Sequence, residues 1–307
     1  MKPARACLPC LLMLSPAIVA CQSHPADPPT SYIQGVGGDY LGQAPPGAEF
    51  RRFASGIVPA DMYHSVTVSP DGQEIYWADI TRGIMVTRRD GDRWTTPALV
   101  PFSGGRYGAY SQDDAPVVSP DNRRLHFNSL RPYGSVTTPR WRFWYSDRTA
   151  TGWSAPQPMP DVINSTGGIH WQASVASSGT FYFGAVSESA AGVRTSILSS
   201  RFVNGGYTAP EPLSVVNGVG NVLGPFIAPD ESYIIFNREV GGGETISTYI
   251  SFKGADGQWL APQLLPQFPA RESAFVTRDG RYVFNKGYWA SAQIIEDLRP
   301  RGRGLER

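Results

Sequence analysis

Val68-Ser69-Pro70-Asp71-Gly72, then Ile75-Tyr76-Trp77, then Trp94-Thr95-Thr96-Pro97 is a pattern the chain repeats. A second copy runs Val118-Ser119-Pro120-Asp121-Asn122, Leu125-His126-Phe127 and Trp153-Ser154-Ala155-Pro156. A third has Ser177-Ser178-Gly179, Phe181-Tyr182-Phe183 and Tyr207-Thr208-Ala209-Pro210. The fourth has Ala228-Pro229-Asp230-Glu231, Ile234-Ile235-Phe236 and Trp259-Leu260-Ala261-Pro262. A fifth, Thr277-Arg278-Asp279-Gly280 with Tyr282-Val283-Phe284, stops before its closing aromatic and proline. A period of roughly 50 residues assembled from strand-sized pieces implies a propeller or a related repeat array.

Each unit reads as a four-stranded antiparallel sheet. Strand one ends in the Pro-Asp-Gly turn, where proline fixes φ and Asp and Gly accept the tight reversal. Strand two is the aromatic run, and strand three carries Ile84-Met85-Val86, Phe143-Trp144-Tyr145, Ile197-Leu198, Tyr249-Ile250 or Tyr288-Trp289. The outermost strand is expected to hold the Trp or Tyr, its Pro lying on an exposed edge where no ladder donor is needed. Runs such as Phe181-Tyr182-Phe183 do not alternate, as suits a sheet covered on both faces by its neighbours. Thirty-three glycines and 27 prolines leave little room for helix, and only Ile294 to Leu298 could make a short helical turn.

The fifth copy lacks an outer strand, and Gly47 to Val58, with Phe50-Arg51-Arg52-Phe53, precedes the first copy without a turn of its own. Pairing that stretch onto the last sheet closes the ring and removes two open edges. The expectation is an all-β, five-bladed β-propeller over 46–298, closed by an N-terminal strand. Six blades would require residues 31–60 to form a whole sheet, and they carry too few apolar runs. Residues 21–45, rich in Pro and Gly, read as a tether, and 299–307 as a frayed basic tail.

Residues 1–20 read as an address. Lys2 and Arg5 open it, and the apolar stretch Ala6 to Val19 is too short to span a membrane. Ile18-Val19-Ala20-Cys21 resembles the lipobox of bacterial lipoproteins, in which the peptidase cuts before the cysteine and the thiol carries lipid; an ordinary secretory signal is the alternative. Cys7, Cys10 and Cys21 are the chain's three cysteines, so cleavage leaves no disulfide and no thiolate metal site. Gln22 in place of Asp after the cysteine favours an outer-membrane lipoprotein facing the periplasm. Loss of Lys2 and Arg5 would leave a nearly neutral chain with no basic stripe for nucleic acid.

The Ser-Pro-Asp-Gly-x-x-Ile-Tyr-Trp pattern is similar to the WD-like, PD-type repeat of TolB-type β-propellers, over about residues 60–298. Tyr40–Gly47 and Pro225–Tyr233 also resemble segments shared by a group of bacterial propeller lipoproteins. The turn differs from the Asp-box of sialidases, because its Asp falls one place late. The resemblance implies a propeller of the bacterial envelope and no particular chemistry.

Counting back from the turn Asp or its equivalent locates the mouth of the ring. Seven residues back stand His64, Asp114, Trp171, Leu223 and Glu272; eight back stand Tyr63, Asp113, His170, Val222 and Arg271. Just past strand two come Asp79, Asn128, Arg131, Asn237, Arg238, Asn285 and Lys286. His126 is set aside as a strand-two residue like Tyr76. From these, His64, Asp113, Asp114, Arg131, His170, Trp171, Arg238, Arg271, Glu272 and Lys286 are the candidate ligand-binding residues. The reading is a monomeric, non-enzymatic module that recognises an envelope protein or a glycan at one mouth, with no cofactor and no metal. The alternative is a glycan-cleaving hydrolase using Asp114 and Glu272, since Asp113 and Asp114 on one strand face opposite ways. The glycines of Gly218–Gly224 mimic a dinucleotide fingerprint with the wrong spacing and read as a blade-connecting loop. Aromatic rings within the repeat are core; a ring outside it could serve as a stacking platform for sugar.

Overall fold

The computed structural model describes residues 30–300, apart from 61, 135–138, 167–168, 190–191, 219, 241–244 and 270–272. The lipobox-like segment and Cys21 lie outside the described residues, as do Arg271, Glu272 and the last seven positions. Residues from Tyr32 onward form one compact unit.

Its turns explain its strands. In Ser69-Pro70-Asp71-Gly72 the Gly72 N–H donates to the Ser69 carbonyl at 2.8 Å, and Asp71 Oδ1 accepts both the Ser69 hydroxyl and the Gln73 N–H. Asp121, Asp230 and Asp279 accept the equivalent N–H of Arg123, Ser232 and Arg281. The fourth turn residue takes positive φ in each copy: 70° at Gly72, 61° at Asn122, 60° at Glu231 and 69° at Gly280. This is a type I turn closed by a left-handed residue, which Gly and Asn adopt most readily. The turn aspartates are therefore structural parts.

Five sheets follow. Blade one is Thr67–Val68, Glu74–Asp79, Gly83–Asp90 and Ala98–Leu99. Blade two is Asp113–Val118, Arg124–Ser129, Arg142–Thr149 and Gln157–Pro158. Blade three is Ile169–Val175, Phe181–Ser189, Gly192–Ser200 and Glu211–Pro212; blade four is Val222–Ile227, Tyr233–Val240, Thr245–Phe252 and Gln263–Leu264. Blade five takes three strands from the C-terminal end, Phe275–Val276, Tyr282–Asn285 and Tyr288–Ser291, and its fourth, Arg51–Arg52, from the N-terminal end. Arg51 pairs with Trp289 and Arg52 with Tyr288. Phe53 follows, fully buried, its ring 5.0 Å from both Phe284 and Trp289. The closure expected from the broken fifth copy is thus present.

The core is divided among the blade interfaces. Tyr76, Ile84 and Val86 of blade one pack with Leu125 and Phe127 of blade two. Phe143 of blade two meets Phe181 and Phe183 of blade three, and Tyr182 and Ile197 meet Ile234 and Phe236. Ile235 and Phe252 join Val276 and Val283, and Tyr282 and Phe284 join Ile75 and Trp77, which returns to blade one. Every interface buries large apolar side chains, each contributing about 1.5–3 kcal/mol.

Three expectations change. The closing aromatic does not lie on the strand that pairs with the middle of strand three. Trp94 pairs with Arg89 and Trp153 with Arg148, near the end of strand three, whereas Leu99 pairs with Met85 and Pro158 with Trp144. The fourth strand is broken at Pro97 and Pro156, because proline has no N–H to carry the ladder through. The tether reading of 21–45 fails from Tyr32 on. Tyr32–Gly37 is a strand beside Arg93–Thr95, Leu41 is buried, and Trp94 Nε1 donates to the Gly38 carbonyl at 2.7 Å. Arg299, assigned to the tail, belongs to the propeller: it pairs with Glu296 at 2.7 Å and lies over Phe252. The short turn near Ile294 is the helix Gln293–Glu296.

Candidate functional site

The innermost strands of all five blades surround a narrow passage lined by Val68, Val118, Val175, Ile227 and Val276, among others. Its free volume of about 50 Å³ holds a few waters and no larger ligand. Over blades one to three the passage opens into a cleft of about 630 Å³. His64 and Gln172 line both spaces and mark their junction.

The inner strands aim the cleft residues. A register shift falls after Asp114 in blade two and after Trp171 in blade three, with Ala115 at φ 51°. A bulge at this place bends the strand and re-aims the side chain beside it. The cleft gathers Tyr63 and His64, Asp113 and Asp114, and His170 and Trp171, which are the positions eight and seven residues before the turn in the first three blades.

Asp113 and Asp114 face opposite ways, as strand alternation requires. Asp113 is fully buried; its carboxylate accepts Ser103 Oγ at 2.9 Å, Ser129 Oγ at 2.7 Å and the Arg131 guanidinium at 2.5 and 3.0 Å. Burial pushes the Asp113 carboxyl above its ordinary value, against the pull of Arg131 and the two hydroxyls. Arg131 also donates to the Phe102 carbonyl at 2.6 Å, so both partners are committed to holding blade two to the connection before it. Asp114 accepts the Ala115 N–H at 2.7 Å, and its Oδ1 lies 3.2 Å from His64 Nδ1, both side chains retaining some exposure.

His170 is fully buried, 5.1 Å from the Phe143 ring, with Nδ1 3.2 Å from Arg142 Nη1 and Nε2 without a hydrogen-bond partner among the described residues. Burial, helped by Arg142, lowers its pKa to about 4, so it is neutral near pH 7. Asn128 Nδ2 donates to the His170 carbonyl at 2.9 Å, and Asn237 Oδ1 accepts the Ser273 N–H at 2.9 Å. These asparagines, expected just past strand two, lie on it and brace the inner strand of the blade that follows. Asp79 is likewise engaged, accepting the N–H groups of Thr81 and Arg82.

Arg131, Arg238 and Lys286 do not line the cleft. Arg238 donates to the Val216 carbonyl at 2.9 Å and stacks over Tyr249, 4.8 Å from its centroid. Lys286 holds the chain with its backbone, its N–H on Ser65 Oγ at 2.7 Å. Arg271 and Glu272 fall outside the described residues. Among the described residues the carboxylates of the cleft are Asp79, Asp113 and Asp114, of which Asp113 alone has hydrogen bonds to both oxygens, and no group of three His, Cys, Asp or Glu could hold a metal ion.

Sequence reasoning missed a second set: Tyr107 and Tyr110 on the hairpin Arg106–Tyr107 and Tyr110–Ser111, and Arg140 and Trp141 ahead of blade two's third strand. With Tyr63 and Trp171 they make the cleft aromatic. The one signal for them was their location outside the repeat.

No protein-family model matches the chain, and no curated protein matches it. Among solved structures, a putative TolB from Agrobacterium tumefaciens is 15% identical over 73% of this chain and 70% of that one, with a TM-score of 0.46. TolB from Acinetobacter baumannii is 17% identical over 71% of this chain and 47% of that one, also at 0.46. A chain of a nidogen/laminin complex is 9% identical over 69% of each, at 0.45. The propeller assignment rests on the five sheets and their closure, in agreement with the TolB-type repeat.

Proposed function

We propose that this chain is a non-enzymatic recognition module of the bacterial envelope, anchored by lipid at Cys21, that binds a protein or a glycan through one mouth of its ring. The observation that carries the reading is the cleft over blades one to three. It is concave, falls within the 300–1,000 Å³ range of ligand sites, and sits above a passage too narrow to admit anything itself. The polar groups around it favour holding over proton transfer: Asp113 is saturated by Arg131 and two hydroxyls, and Asp114 stands against His64. Glycoside cleavage needs two carboxyl groups flanking the bond, and among the described carboxylates of the cleft Asp113 is bonded through both oxygens, Asp79 is tied to its own turn and Asp114 stands against His64. The apolar signal-like stretch ending at Cys21 supports the envelope and the anchor.

The test uses the full-length lipoprotein in native membranes, with a photo-crosslinking amino acid at position 110 at the cleft rim. A covalent adduct that disappears in a Tyr63→Ala, Trp171→Ala variant is expected. Adducts that persist in that variant, or that form only from positions on the opposite face, would place recognition elsewhere.

A further inference from the structure

Resting on that reading, we infer that the ligand of the cleft is a glycan, stacked on rings that the propeller core does not use. Nearly all the large aromatics of the blades are engaged with one another: Phe143 with Phe181 and Phe183, Phe53 with Phe284, Phe236 with Tyr249. Tyr63, Tyr107, Tyr110, Trp141 and Trp171 behave differently. Among the described residues none of these five makes a ring-to-ring contact or a side-chain hydrogen bond, and all five line one cleft. Four are well exposed, at 54% for Tyr63, 51% for Tyr107, 55% for Tyr110 and 40% for Trp171. Leaving that much aromatic surface wet is unfavourable, and its concentration in one concavity marks a binding site.

The chemistry of the lining selects the class. An aromatic face carries negative charge density and attracts polarised C–H groups, while Tyr O–H and Trp N–H supply a polar tip. A pyranose presents the matching surface, a flat patch of C–H groups rimmed by hydroxyls. The same lining carries His64, Asp114, Gln172 and Arg140, side chains that between them donate to and accept from hydroxyls. Size points the same way. A folded protein partner buries about 800 Å² on each side over a broad face, whereas this lining is a pocket of about 630 Å³, suited to one or two sugar residues. A peptide bound by strand addition would need a free strand edge for its amides, and the inner strands of the blades face the closed passage.

The full-length protein, in a detergent without a sugar headgroup, is screened against an array of bacterial envelope glycans: muropeptides, lipopolysaccharide core oligosaccharides and capsular fragments. Hits are followed by intrinsic tryptophan fluorescence. Binding to one glycan class is expected, weakened about tenfold or more by Trp171→Ala and by Tyr63→Ala and largely kept by Trp171→Phe. Val203→Ser, on an exposed hairpin outside the cleft, serves as the control. Absence of binding across the array, or binding indifferent to Trp171→Ala, overturns the glycan assignment. The crosslinker at position 110 then separates the two failures. A protein adduct there leaves cleft recognition standing with a different ligand; no adduct there removes both.

Discussion

His126 occupies the place in blade two that Tyr76 occupies in blade one, enclosed between the rings of Tyr145 and Phe181. Burial, with Arg124 adding to it, lowers its pKa to about 3. Among the described residues its Nδ1 has no hydrogen-bond partner, and the pull of Asp121 is too small to offset burial and Arg124. The linkage has a definite sign. Above the unfolded value near 6.5 both states are neutral and the full stability is present. As pH falls below it, the unfolded chain takes up a proton that the native state refuses. Stability should fall by about 1.4 kcal/mol per pH unit for this histidine until its folded pKa is reached, with a parallel loss from His170 down to about pH 4. His126→Phe should therefore flatten the pH dependence between pH 6 and 4 by about 1.4 kcal/mol per unit. Urea denaturation at several pH values in that window reads this directly, and identical slopes for the two proteins would contradict it. The readout is the slope, so any change in overall stability from the new ring does not confuse it.

At the scale of elements, one device recurs around the ring. Thr87, Ser146, Ser200 and Ser251 on the third strands are fully enclosed, and each donates its hydroxyl to the carbonyl of the residue after the closing aromatic: Thr95, Ser154, Thr208 and Leu260. These bonds clamp the fourth strand where proline interrupts its ladder, which is why the aromatic and the proline keep their spacing. The turn, the aromatic run and the missing outer strand were legible because each is a local pattern. The clamp was not, because a lone hydroxyl in an apolar strand has many ordinary explanations. The strand Tyr32–Gly37 was illegible for a different reason: its partner, Arg93–Thr95, is distant in sequence, and composition there looks like a linker. Closure by Arg51–Arg52 gives a prediction about this element. A chain starting at Thr30 keeps every described strand and should be monomeric by light scattering. One starting at Pro59 leaves Tyr288–Ser291 as an open edge beside the space vacated by Phe53, and should self-associate or precipitate. A monodisperse monomer from the shorter chain would mean the fourth strand of blade five is dispensable.

For the whole molecule, the repeat period located part of the cleft. The positions seven and eight residues before the first three turns gave Tyr63, His64, Asp113, Asp114, His170 and Trp171, while Tyr107, Tyr110 and Trp141 sit in connections that follow no period. The same ring that brings these segments together governs how it unfolds. Each apolar cluster is shared by two adjacent blades, including the one that joins blade five to blade one. A linear array can lose a terminal repeat at the cost of one interface; here, opening any blade strips two. The smallest cooperative unit is therefore the entire propeller, although a chain of this length would ordinarily pass through intermediates. Tryptophan fluorescence, to which Trp77, Trp94 and Trp289 in the closure cluster contribute three of the chain's eight indoles, and far-UV circular dichroism, reporting on all five sheets, should trace one coincident urea transition. Phe53→Ala, which empties the closure cluster, should cost about 3–5 kcal/mol and move both curves together. If in Phe53→Ala a first phase carrying only part of the fluorescence change splits off to lower urea while the circular dichroism midpoint stays put, the closure opens by itself, and the ring is held as a chain of independent neighbours.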